Sequence, residues 1–94
     1  MSEVRFLIHG SADNVGVATA DIGAGESVVG LYMDSQKTVE LKAEEEIPLG
    51  HKIALCDVNV GDSIIKYGHD IGKVVAPIKK GDHVHIHNLK TRRW

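Results

Sequence analysis

Three histidines alternate with apolar residues in the segment 81–88, which reads GDHVHIHN. Side chains of a β-strand point to opposite faces with a period of two. A strand here would therefore place His83, His85 and His87 on one face. Val84 and Ile86 would point the other way, into a core. We call these three histidines the histidine row.

The spacing of the histidine row is compatible with metal binding. Same-face neighbours on a strand lie about 6–7 Å apart, which lets two imidazoles ligate one divalent ion. A third ligand would come from another element, and His51 or His69 could supply it. A closed structural zinc site is not expected, because the chain has neither an H-E-x-x-H motif nor a cysteine and histidine cluster. Three interpretations stay open: a metal site within the chain, a site shared with a partner or facing a substrate, and an exposed strand face.

Two further segments carry side chains suited to an anion. Gly50-His51-Lys52 is a glycine turn before an apolar strand, and IKYGHDIG at 65–72 leaves Lys66 and Tyr67 at a strand end, where functional residues are frequent. The lysine ammonium groups can contact a carboxylate or a sulfonate. No serine, histidine and acid set, phosphate loop or close acid pair is recognisable by spacing. The pattern therefore indicates a surface that binds an anion, and not an enzyme whose catalytic residues all lie in this chain.

Short β-strands are predicted to position these residues. No segment keeps apolar residues at i, i+3, i+4 and i+7 over three turns, so little helix is expected. We predict one all-β domain over residues 1–94, with a barrel-like or clip-like architecture. Its strands are rich in Val and Ile, are bounded by Gly, Asp, Asn or Pro, and are predicted at Val4–His9, Gly16–Ala20, Ser27–Tyr32, Thr38–Lys42, Lys52–Cys56, Ser63–Tyr67, Gly72–Ala76 and His83–His87.

One turn motif occurs three times in the sequence. Each copy has an apolar residue, two spacers, a glycine, an acid, one further residue and a β-branched residue. The copies are IGAGESV at 22–28, VNVGDSI at 58–64 and IKKGDHV at 78–84. The motif predicts a turn that enters a strand, with the acid accepting nearby backbone N–H groups. The motif therefore predicts local structure and gives no information about function.

Composition narrows the class of protein. Aromatic residues make up 4% of the 94 residues, which leaves no platform for stacked bases, so nucleic acid is not an expected partner. No apolar run approaches the roughly 18 residues of a membrane span, and no membrane contact is expected. Cys56 is the single cysteine, which fits a reducing cytoplasm, and its strand-like setting predicts a buried thiol. Residues 51–94 hold eight bases and four acids, which favours an anionic ligand or an acidic partner.

Several segments resemble the N-terminal domain of altronate dehydratase. They are GHKIAL at 50–55, IIKYG at 64–68 with Ile71-Gly72 after it, GDHVHIHN at 81–88, and the opening Ile8-His9 with DNVGVA at 13–18. Galactarate dehydratase and the small subunit of (2R)-sulfolactate sulfo-lyase have a similar domain, known as SAF type with a β-clip fold. The resemblance covers nearly the whole chain, in order and with matching spacing. It implies an all-β, SAF-type β-clip domain.

This family resemblance also implies an activity. Its lyases remove a β-substituent from a 2-hydroxy acid with a divalent metal, iron or manganese. Water leaves in the sugar-acid dehydratases, whereas sulfite leaves and pyruvate forms in sulfolactate cleavage. The metal and most of the catalytic apparatus are expected on a larger catalytic subunit, so this chain is expected to be a small subunit without activity of its own. Sulfite release is favoured. The alternative is a small subunit or N-terminal domain of an altronate or galactarate type of sugar-acid dehydratase, and a non-catalytic SAF ligand-binding or interaction module is a further one.

The resemblance assigns roles position by position. It implies His85 and His87 as catalytic residues and as metal ligands shared with the large subunit. The implied substrate-binding residues are His51, Lys52, Lys66, Tyr67 and Asn88. Of these, Lys66 would hold the substrate anion, while Tyr67 would either hydrogen-bond a hydroxyl or only pack.

Overall fold

The computed structural model describes residues 3–85 and 87–91. Nine β-strands and no helix form within them. These residues thus include no helix that could cross a membrane. The all-β class is therefore confirmed. The strands are β1 Val4–Ile8, β2 Val15–Ala18, β3 Ser27–Tyr32, β4 Thr38–Lys42, β5 Lys52–Ala54, β6 Ser63–Lys66, β7 His69–Val74, β8 His83–Val84 and β9 Leu89–Thr91.

The strands form two sheets. The larger has the order β4-β3-β1-β2-β5-β8, and the smaller has the order β6-β7-β9. Within the larger sheet β1 and β3 run parallel, and the other neighbouring strands run antiparallel. Strand β5 lies between two clusters of buried apolar side chains, because Ile53 packs in one cluster and Ala54 in the other. The residues next to β5 are thus held against both parts of the core.

The turn motif occurs four times in the described part of the chain. Gly25, Gly61 and Gly81 of the predicted copies have φ of 83°, 93° and 91°, a region that favours glycine. In each of these copies the acid accepts the backbone N–H three residues earlier, at 2.8, 3.3 and 2.8 Å. The fourth copy spans 47–50 and ends at Gly50, whose φ is 84°. The sequence motif did not include this copy, because the residue after its glycine is His51 and not an acid.

These turns associate in two similar pairs. Ile22 bridges Ile47, and Val58 bridges Ile78, and all four side chains are buried. The aspartates that precede Ile22 and Val58 each accept a backbone N–H of the paired turn at 2.8 Å. The turn that precedes His51 and the turn that precedes β8 are therefore each fixed by a second turn.

The predicted strand His83–His87 is wrong in its second half. Strand β8 ends at Val84, and the carbonyl oxygen of His85 accepts the N–H groups of residues 88 and 89 at 3.1 and 2.9 Å. These bonds close a turn, and the chain then enters β9, a strand that the pattern did not predict. Ile86 lies outside the described residues. The histidine row is therefore not one face of a continuous strand.

Five other predicted strands differ from the observed ones by one to three residues at an end, and two of these differences matter for the site. The strand predicted at Gly72–Ala76 begins earlier, at His69, because Tyr67 and Gly68 alone form the turn between β6 and β7. Strand β5 ends two residues before Cys56, and the Cys56 thiol is exposed where a buried one was predicted.

Candidate functional site

The pairing of β5 with β8 brings three histidines together. His83 lies opposite Ile53 in this antiparallel pair. Beside it, the rings of His51 and His85 have centroids 4.5 Å apart, and His51 Nδ1 lies 2.9 Å from His83 Nε2. One ring nitrogen from each of His51, His83 and His85 lies within 4.8 Å of the other two. We call these three residues the histidine cluster; all three are half-buried.

Backbone hydrogen bonds hold the histidine cluster in place. The N–H of His83 donates to Glu45 Oε1 at 2.9 Å, and the N–H of His85 donates to Asn88 Oδ1 at 2.9 Å. Asn88 Nδ2 donates in turn to the carbonyl oxygen of His83 at 2.8 Å. Asn88 is only 4% exposed, so both ends of its amide are used inside the chain. Its position suits a residue that supports the turn, whereas its predicted contact with substrate stays a prediction.

His87 and His69 are not members of the histidine cluster. His87 is exposed, although its ring centroid lies 5.4 Å from that of His83, close to the 5.5 Å between His83 and His85. His69 is exposed at the start of β7. Among the described residues, the group of histidines and acids close enough to hold one ion consists of the histidine cluster alone. The structure thus brings His85 together with His51 and His83, whereas the sequence pattern paired it with His87.

Electrostatics favour the neutral form of two imidazoles in this cluster, those of His83 and His85. Partial burial lowers the pKa of His83 most, followed by the neighbouring imidazoles, while Glu45 opposes this with a raising effect. Loss of hydration likewise lowers the pKa of His85, with smaller contributions from the neighbouring imidazoles and from Lys52. A neutral imidazole keeps a lone pair, so these rings are suited to accept a proton or to ligate a metal.

A second candidate feature is a groove of about 230 Å³ beside β1, β2 and the β6–β7 turn. Asp13, 6% exposed, lies at its base. The Asp13 carboxylate accepts the backbone N–H groups of Tyr67 and Gly68, each at 2.9 Å. Both residues of this turn are left-handed, with φ of 56° and 74°, which is rare for an aromatic residue. We call the turn and its carboxylate the Asp13 clasp.

The Asp13 clasp presents the Tyr67 side chain at the mouth of the groove. The ring is 53% exposed and meets the His9 ring edge-on, with centroids 4.6 Å apart. Lys66 Nζ lies 5.3 Å from the centre of the same ring, within range of a cation–π contact. His9 and Asp13 line the groove, yet the sequence assigned neither a role. A tyrosine and glycine pair between two strands predicts such a turn. The neighbouring residues do not predict that Asp13, far away in the sequence, binds it.

Two lysines connect the groove with the histidine cluster. Burial lowers the pKa of Lys52 most, and the positive charge of Lys66 lowers it further. The positive charge of Lys52 also contributes to the lowered pKa of His85. We call Lys52 and Lys66 the cationic strip. The strip can hold one or two anionic groups of a small ligand.

Comparison with known proteins identifies the family. The sequence model of the altronate/galactarate dehydratase SAF domain matches residues 4–92. The chain belongs to this family. The SAF domain is 41% identical over 92 residues to (2R)-sulfolactate sulfo-lyase subunit alpha of Chromohalobacter salexigens, a match that covers 97% of this chain and 98% of that subunit. The same subunit of Paracoccus pantotrophus is 54% identical over 54 residues, 57% of this chain and 81% of the relative.

A fused relative matches almost as much of this SAF domain. Altronate dehydratase of Escherichia coli K12 is 46% identical over 88 residues, which is 94% of this chain but 17% of that enzyme. The domain therefore exists both as a separate alpha subunit and as a small part of a longer enzyme. In the chain described here, the histidine cluster and the cationic strip both form within this single domain.

Proposed function

We propose that this chain is the small, alpha-type subunit of a lyase that eliminates sulfite from (2R)-3-sulfolactate and yields pyruvate. The observation that carries the proposal is the similarity to a separate sulfo-lyase alpha subunit over 98% of that subunit's length. A subunit of this kind works with a larger catalytic partner. We propose that partner as the missing part of the active site and the cytoplasm as the place of assembly.

The cationic strip supports an anionic substrate. Sulfolactate carries a carboxylate and a sulfonate, and Lys52 and Lys66 offer one ammonium group for each. In our proposal Lys66 holds the substrate anion, and His51 and Tyr67 contact its polar groups. Asn88 contributes by positioning His83 and His85, since its side-chain amide bonds to the backbone of both.

The reaction requires a proton acceptor near the substrate. Removal of the proton at the carbon that bears the hydroxyl leaves an electron pair, which forms a carbon–carbon double bond as the carbon–sulfur bond breaks. Sulfite leaves with the electrons of that bond, and the resulting enol converts to pyruvate. We propose two alternative roles for His85 and His87, since a ring nitrogen bound to an ion cannot accept a proton. Either they move protons in these steps, because imidazole does so most readily near neutral pH, or they ligate the metal.

The lyase metal is proposed to be iron or manganese, held mainly by the large subunit, with His85 and His87 as the ligands that this chain would add. Imidazole nitrogen suits such ions, and the exposure of His87 leaves it accessible to a partner. When bound, the ion supplies charge stabilisation for an oxygen of the substrate.

The test is purification of the complex. The full chain serves as bait in lysate of its own organism, and the eluate is assayed on (2R)-sulfolactate for sulfite and on altronate for water loss. We expect a larger co-purifying subunit and sulfite release. Release of water from altronate would support instead the dehydratase alternative, which the match to altronate dehydratase favours. If no partner co-purifies and the eluate has neither activity, the result would support the third alternative, a non-catalytic SAF module.

A pair of variants tests the cationic strip in that complex. Replacement of Lys66 by Gln should raise KM for the substrate at least about tenfold, since one charged contact contributes about 1.5–3 kcal/mol. Lys73→Gln is the matched control, because Lys73 is an exposed lysine on the adjacent strand β7. Equal KM values in the two variants would remove Lys66 from the substrate site.

A further inference from the structure

The geometry points to a divalent transition-metal site formed by the histidine cluster of this chain alone. Its three ligands, His51, His83 and His85, all come from one chain and do not include His87; His85 also belongs to the set proposed for the lyase metal, so its ring would serve one of the two ions at a time. The inference goes beyond the proposed function: the same site would form whether the complex released sulfite or water.

The distances between the ring nitrogens match one ion. Zinc binds imidazole nitrogen at about 2.0–2.1 Å, which places tetrahedral ligand atoms about 3.3 Å apart. One nitrogen pair of the cluster is 2.9 Å apart, and all three nitrogens lie within 4.8 Å. The widest spacing of at most 4.8 Å would have to close to about 3.3 Å to place the three nitrogens on one ion. The fourth coordination position would stay open, as in catalytic metal sites.

The backbone around the ligands is already ordered. His51 follows a glycine turn that is bridged to a second turn, and its carbonyl oxygen accepts the N–H of Ala18 at 2.9 Å. The N–H groups of His83 and His85 are bound by Glu45 and Asn88. Ligands whose backbone is fixed lose little conformational freedom on binding, which raises affinity.

The surroundings of the cluster suit a soft or borderline cation. Three imidazole nitrogen ligands favour zinc, cobalt, nickel, copper or iron over magnesium and calcium, which prefer oxygen. The Glu45 carboxylate accepts the His83 backbone N–H, and the ammonium group of Lys52 lies near enough to act on His85, so one negative and one positive charge lie near the cluster. The three rings are half-buried, so an ion can enter while part of its hydration is replaced by protein.

The test is a titration of the full chain, prepared without a polyhistidine tag, with Co²⁺ and with Zn²⁺. We expect one equivalent of Co²⁺ to give the visible absorption of a four-coordinate ion, and Zn²⁺ to displace it. Replacement of His51 or His83 by Gln should weaken Zn²⁺ binding at least about 100-fold, because even changes outside the ligand set cost 10–100-fold. His69→Gln is the matched control and should change affinity less than about threefold.

A second readout guards against misfolded variants. In the unmodified chain, NMR signals of the His51, His83 and His85 rings should shift on Zn²⁺ addition and saturate at one equivalent, while those of His9 and His69 stay in place. Zn²⁺ binding weaker than about 1 mM, or shifts spread over all histidines, would overturn the site. Loss of binding in His87→Gln with retention in His51→Gln would also overturn it. Failure of the lyase assay with intact Zn²⁺ binding would refute the proposed function and leave this site standing.

Discussion

Removal of the Asp13 carboxylate should be among the most destabilising single changes outside the apolar core. The carboxylate makes two hydrogen bonds to backbone N–H groups, each 2.9 Å long, at a site where the side chain is 6% exposed. A hydrogen bond to a charged group contributes about 1.5–3 kcal/mol. Water can replace part of this loss, because Tyr67 and Gly68 are exposed. We therefore expect Asp13→Ala to cost about 3 kcal/mol and Asp13→Asn about 2 kcal/mol.

The left-handed conformation of Tyr67 adds a second test of the Asp13 clasp. A non-glycine residue there costs about 1 kcal/mol or more, and the carboxylate offsets that cost. Asparagine followed by glycine is the preferred pair in such two-residue turns. Tyr67→Asn should therefore recover about 1 kcal/mol of the loss in Asp13→Ala. The gain in free energy of unfolding from Tyr67→Asn should be larger in the Asp13→Ala variant than in the original chain.

The assay is urea and thermal unfolding followed by circular dichroism. A loss of 3 kcal/mol lowers Tm by about 12–24 °C in a domain of this size. Asp62→Ala is the control: this exposed aspartate accepts one backbone N–H at 3.3 Å, and its loss should cost less than about 0.5 kcal/mol. If Asp13→Ala and Asp62→Ala were equally mild, the reasoning about the Asp13 clasp would be refuted.

Three further predictions concern the turns and the histidine cluster. Asn88→Ala should cost about 2–3 kcal/mol in urea unfolding, because two backbone partners lose a buried amide, and it should weaken Zn²⁺ binding about tenfold; a loss below 0.5 kcal/mol would contradict this. Gly81→Ala should destabilise far more than Gly25→Ala: both glycines have positive φ, but a Cβ at Gly81 would lie 2.2 Å from a backbone oxygen of β4, whereas nothing lies within 4 Å at Gly25. Equal Tm values for the two variants would exclude this close contact as a cause. The pKa of His83 and of His85 is lowered on folding, so the unfolded chain binds more protons as the pH falls through about 6.5. Stability should be full above that pH and decline below it, and a variant with both residues replaced by Gln should lose much of the decline in Tm between pH 7.5 and 5.5.

The local pattern of residues was enough to predict the fold class. Alternation of apolar residues and glycine-bounded turns are features of a few consecutive residues, and they placed β3 and β4 at their observed bounds. Where the local signal was ambiguous, the prediction failed. HVHIH alternates like a strand throughout, but the turn closed on His85 ends β8 at Val84 and sends the chain to the second sheet.

The amino-acid sequence by itself therefore determined the all-β class, the glycine turns, the family and most residues of the candidate site. Only the tertiary structure decided which of those residues meet. His51 joins His83 and His85 because β5 and β8 pair in one register, and Asp13 reaches a turn more than fifty residues later. Strand pairing depends on burial of both core clusters at once, which is a property of the whole chain and not of any short segment.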